Sequence, residues 1–82
     1  MAELTKLGEY FERKSVNKAS VGRKTGLSKN RLTSVTTSET ARLMVEELYL
    51  IALAIEVDPG ELLEYVCEGL ELKPEEPSAA DN

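Results

Sequence analysis

The chain has no histidine and one cysteine, Cys67. No disulfide can form within it, no Cys/His zinc pattern can be written, and no imidazole is present to act as a general base. A run of 18 or more apolar residues is also missing, which excludes a membrane-spanning helix. The N-terminal MAELTKLGEYFERK carries acids and no long apolar stretch, so it does not read as a signal peptide and the expected compartment is the cytoplasm. There is no glycine-rich phosphate loop, and the carboxylates cluster without a base or metal partner. Neither catalysis nor a cofactor nor a metal is expected. Eighty-two residues make one domain with a modest core.

What is there is an uneven distribution of charge. The net charge is −5. Residues 1–42 hold nine Lys/Arg against four acids, a net +5, and residues 43–82 hold eleven acids against Lys73 alone, a net −10. From Asn17 to Thr36 there are five basic residues and no acid. Such a domain has a basic half suited to phosphate and an acidic half that must face elsewhere.

Apolar periodicity predicts five helices and no strand. Leu4, Leu7, Tyr10 and Phe11 form the stripe of a first helix over about Glu3 to Lys14. Asn17 is suited to cap a short second helix, Lys18 to Thr25, with Gly26 as a left-handed stop. Ser28 caps a third helix, Lys29 to Thr36, turning Leu32 and Val35 inward; Thr36 to Thr40 reads as loop. A fourth helix, Val45 to Glu56, has the core LYLIALAI, apolar nearly all round, and so needs burial on more than one side. Asp58-Pro59-Gly60-Glu61 opens a fifth, with a stripe of Leu62, Leu63, Val66, Cys67 and Leu70, and Cys67 is expected to be a buried structural thiol. The domain is expected over residues 1–72, and the acidic tail 73–82, KPEEPSAADN, is expected to be disordered.

The segment Asn17 to Val35 places two short helices about a tight turn at Gly26. Val21, Leu27, Leu32 and Val35 face inward to lock their angle, and Gly22 leaves room for close approach. That arrangement is a helix-turn-helix, whose second helix stands proud enough to enter the major groove of double-stranded DNA. The first turn and the next outward position of that helix reach base edges, which singles out Lys29, Asn30 and Ser34, with Thr33 beside them. Lysine suits guanine O6/N7, asparagine suits adenine N6/N7, hydroxyls bond either base and the threonine methyl can meet thymine. Free N–H groups at the starts of the two helices favour phosphate near Asn17, Lys18 and Ser28, with Arg31 and Arg42 adding charge.

The T-G-L-S corner at Thr25 to Ser28 and the stretch I-A-L-A-I-E-V-D-P-G-E-L-L at Ile51 to Leu63 resemble the phage-repressor (Cro/repressor, XRE-type) helix-turn-helix family over residues 7–63. The resemblance implies a compact all-α, five-helix, lambda-repressor-like fold and operator binding as a homodimer. By position it puts base reading on Lys29, Asn30 and Ser34 and phosphate contacts on Asn17, Lys18, Ser28 and Arg31. The chain departs from the family pattern at Gly22, where alanine is usual and glycine lowers helix propensity by roughly 1 kcal/mol. It departs again at Thr36, where an acid is common, and in the loop Thr37 to Leu43, which is a residue longer and leaves Arg42's position open.

Tyr49, Leu50 and Leu53 lie off the inward stripe of the fourth helix. They are either core or, with Tyr65, an exposed dimer patch. The expected function is a DNA-binding transcriptional regulator, a repressor in the leading reading, on a pseudo-palindromic site. The alternative is an antitoxin or adaptor whose acidic C-terminal half binds a protein partner.

Overall fold

A computed structural model describes residues 4–74. Five helices follow in order: α1 Lys6–Arg13, α2 Lys18–Thr25, α3 Lys29–Thr37, α4 Val45–Ala54 and α5 Pro59–Val66, with no strand among the described residues. The α1 helix packs on α3 and α5, α2 on α3 and α4, and α4 on α5. The core at their centre is Leu7, Tyr10, Phe11, Val21, Leu32, Val35, Ile51, Ala52 and Leu62. Val16, Leu27, Leu48 and Tyr65 pack against it from its edge.

Side-chain caps set four of the five starts. Asn17 Oδ1 accepts from Ser20 N–H, Ser28 Oγ from Arg31 N–H and Asp58 Oδ2 from Glu61 N–H. In each case a short polar side chain answers one of the donors a helix start leaves unpaired. The expected beginning of the first helix at Glu3 lies outside the described residues. Within them α1 starts at Lys6, because Thr5 Oγ1 accepts from Gly8 N–H at 3.1 Å.

Thr5 also faces the far end of α3. Its N–H donates to the Thr36 carbonyl at 3.0 Å and its hydroxyl donates to the Val35 carbonyl at 2.7 Å. The start of α1 thus satisfies two carbonyls that the end of α3 would leave bare. Gly8 makes the approach possible: a Cβ there would stand 2.2 Å from the Thr36 carbonyl oxygen.

Some helix ends differ from the sequence expectation. The α3 helix runs one residue further, to Thr37, with Thr37 Oγ1 bonded back to the Thr33 carbonyl at 2.6 Å. The α4 helix stops at Ala54 rather than Glu56. Glu56 takes a left-handed φ of 61°, and Val57 N–H closes on the Ala52 carbonyl at 3.0 Å. That closure is one glycine often supplies; here a glutamate supplies it. On α5, Leu62 is buried, but Leu63 is 49 % and Leu70 77 % exposed, so the inward stripe is narrower than expected. Cys67 is half-buried at the C-terminal cap rather than fully enclosed. Of the acidic tail, only Lys73 and Pro74 fall among the described residues, both exposed and outside any helix.

Candidate nucleic-acid interface

The corner between α2 and α3 is built from small polar bonds and two glycines. Gly26 takes φ +82°, its N–H reaching back to the Gly22 carbonyl at 2.9 Å. Thr25 Oγ1 donates to the Val21 carbonyl at 2.7 Å and accepts from Leu27 N–H at 3.2 Å. Leu27 plugs the corner against the core. A Cβ on Gly22 would sit 3.2 Å from the Leu27 carbonyl oxygen and 3.5 Å from Leu32 Cδ1, so the missing side chain does let the two helices lie close.

Leu32, Val35 and Thr36 are the buried side of α3. At 100° per residue the opposite side carries Asn30, Ser34 and Thr37, flanked by Lys29 and Thr33. Lys29, Asn30 and Thr33 are exposed, while Ser34 and Thr37 are half-buried. Asn17, Lys18 and Ser28, at the starts of α2 and α3, are exposed as well. A shallow groove between the two helices is floored by Ala19, Gly22, Leu32 and Thr33 and rimmed by Lys18, Arg23 and Lys29. None of these three cations forms an ion pair with a carboxylate among the described residues.

A family model of the Cro/C1-type HTH DNA-binding domain matches residues 6–68, from the first turn of α1 to just past α5. The chain belongs to this family. No curated protein and no solved structure matches the chain at a significant level. The Cro/C1-type domain makes the chain a DNA-binding protein, with α2 and α3 as its helix-turn-helix.

Within this Cro/C1-type domain the basic residues differ in what holds them. Lys24 Nζ reaches the Ala54 carbonyl at the end of α4, at 3.5 Å, and Lys18 Nζ lies 3.3 Å from Thr36 Oγ1. Arg31 turns away from the Asn30 face. Its Nε and Nη2 meet Glu47 Oε2 and Oε1, both at 2.8 Å, and Nη2 also donates to the Arg42 carbonyl. Hydrogen bonds from Arg31 hold the Glu47 carboxyl below its ordinary pKa; partial burial opposes this and the Met44 N–H assists it. The same bonds push the Arg31 guanidinium up. Arg42 itself is exposed.

Two features escaped the sequence reading. Thr37 joins the outward face because α3 is a residue longer, seven positions on from Asn30. Arg23 rims the groove, and its only sequence signal was its place in the acid-free window.

The fourth helix settles the question left open for its outer residues. Tyr49 is 52 %, Leu50 40 % and Leu53 52 % exposed, so they are surface rather than core, joined by Met44 and Val45. Tyr65 does not share their exposure. Its ring meets Tyr10 edge-on at 5.0 Å and lies under the Arg13 guanidinium at 5.7 Å. Among the described residues no helix is long and apolar enough to cross a membrane.

Proposed function

We propose that the protein is a sequence-specific transcriptional regulator that inserts α3 into the major groove and represses by occluding a promoter in the cytoplasm. Lys29, Asn30 and Ser34, with Thr33, read base edges, and Asn17, Lys18, Ser28 and Arg42 meet the phosphates. The observation that carries this reading is the exposed Lys29–Asn30 pair on the first turn of α3, beside a rim of cations that pair with no carboxylate among the described residues. Two copies act together through the exposed α4 residues Tyr49, Leu50 and Leu53. Recognition helices of a dimer stand about 34 Å apart and read a pseudo-palindrome. No catalytic role is assigned.

The test is selection of the purified chain on a random duplex library at roughly 0.1 M salt, since weak phosphate binding dominates at lower ionic strength. An enriched inverted repeat is expected, together with a dimer in analytical ultracentrifugation. A folded protein that enriches no sequence would remove the reading. Stoichiometric capture of a protein by the acidic half would then favour an antitoxin or adaptor.

A further inference from the structure

We infer that Glu47 holds Arg31 off the DNA backbone, so that the recognition helix meets DNA with one cation fewer and discriminates better between its site and other duplexes. This rests on the DNA-binding reading above and concerns a residue that reads no base itself.

Arg31 sits on α3 between Asn30 and Leu32, where position alone suggests a phosphate contact. The geometry points elsewhere. The guanidinium is held by three acceptors from one neighbouring segment: both oxygens of Glu47 on its Nε/Nη2 edge, and the Arg42 carbonyl on the second Nη2 N–H. Glu47 is itself pinned, its Oε1 accepting the Met44 N–H at 2.9 Å at the start of α4. The carboxylate side chain is only 12 % exposed and that of Arg31 32 %. A planar, two-bond pair of this kind is the geometry with which arginine also binds phosphate, so Glu47 takes the Nε/Nη2 edge and fixes the guanidinium toward α4. Exchange for a phosphate would strand a largely enclosed carboxylate without its cation, which is costly. Lys29, two residues earlier, has no such partner among the described residues.

The consequence is a division of labour among the cations of one short helix. A phosphate contact strengthens every duplex alike, whereas a base contact strengthens one. Withholding Arg31 lowers the sequence-independent part and leaves the Lys29–Asn30 part intact. Glu47 is therefore a positioning residue that sets specificity through Arg31.

The experiment measures binding of the full chain to a labelled random-sequence duplex and to the selected site, by fluorescence anisotropy across a salt series. Circular dichroism checks the fold of each variant. Glu47→Gln keeps an oxygen for the Met44 N–H and releases Arg31. It should steepen the log–log salt slope by about 0.9, an extra loss of about 3–4-fold between 50 and 200 mM, and tighten random-duplex binding more than site binding. The double variant Arg31→Met/Glu47→Gln leaves net charge unchanged and should match the wild-type slope. A double variant flatter by about 0.9 would overturn the inference, because Arg31 would then be touching phosphate in the wild type. An unchanged slope in folded Glu47→Gln overturns it equally. Absence of any duplex binding by the wild-type chain would overturn the DNA-binding reading and this inference with it.

Discussion

Replacing Gly8 by alanine tests how the recognition helix is held. Helix propensity alone says the change should help, by about 1 kcal/mol, since glycine is among the weakest helix formers. The packing says the opposite. The new Cβ would lie 2.2 Å from the Thr36 carbonyl oxygen and 3.1 Å from Leu4 Cβ. Ordinary carbon–oxygen contacts begin at about 3.3 Å, so α1 and the end of α3 must part by about 1 Å. Parting them breaks the Thr5 bonds to the Val35 and Thr36 carbonyls, each worth about 1 kcal/mol. Overpacking strain adds about 1–3 kcal/mol. After the propensity gain, the net loss is about 2–4 kcal/mol, which in a domain of this size lowers Tm by about 10–30 °C. Urea unfolding followed by circular dichroism measures it. Gly22→Ala is the internal control: its Cβ would meet the Leu27 carbonyl at 3.2 Å, a conflict of tenths of an ångström, and stability should stay within about 1 kcal/mol of wild type. A Gly8→Ala protein as stable as wild type, or more stable, would refute the close-approach argument.

Other expectations follow from single groups. The Tyr10 hydroxyl is buried without a hydrogen-bond partner among the described residues, and its burial raises its pKa; Tyr10→Phe should leave thermal stability unchanged or raise it by up to about 1–3 kcal/mol, and a clear loss would mean the hydroxyl is satisfied. Folding lowers the Glu47 pKa from its ordinary value of about 4.5, so the stability it contributes is full above that pH and disappears as pH falls through the lower folded value. The gap in urea midpoint between wild type and Glu47→Gln should therefore narrow below about pH 4; a constant gap would show that the ionised form adds nothing. Lys29→Ala or Asn30→Ala should cost about 1–3 kcal/mol on the selected site and relax preference at one base pair, and equal weakening on all sequences would remove that residue from base reading. Lys18→Ala should weaken all duplexes alike and flatten the salt slope by about one unit, whereas an unchanged slope would take Lys18 out of the phosphate contacts.

The parts of the fold legible in the sequence are those whose causes are local. Asn17, Gly26, Ser28 and Asp58-Pro59 each act on the next few residues, and α2 and the start of α3 stand where those signals put them. The helix-turn-helix and its exposed Lys29 and Asn30 were legible for the same reason. What was hidden depends on partners distant in the chain. Thr5 gains its role only from carbonyls thirty and thirty-one residues later, and Gly8 looks like an ordinary weak spot in a helix until Thr36 is beside it. Arg31 and Glu47 are sixteen residues apart on different helices, so a count of charges along the chain does not show that they pair. The end of α4 was missed because its left-handed residue is Glu56, which carries no stop signal.

The bonds from Thr5 to the end of α3 also bear on how the domain gains and loses its structure. A segment cut at residues 17–37 would keep the caps at Asn17, Gly26 and Ser28, yet would end in carbonyls with nothing to receive them. The helix-turn-helix is therefore not a transplantable module. When α1 lifts, the Val35 and Thr36 carbonyls lose the donors they take from Thr5, so opening at the start of α1 and fraying at the end of α3 belong to one cooperative unit. During synthesis the Thr5 bonds to the Val35 and Thr36 carbonyls cannot form until the chain has grown some thirty residues further. The recognition helix is then completed by long-range docking rather than by its own propensity.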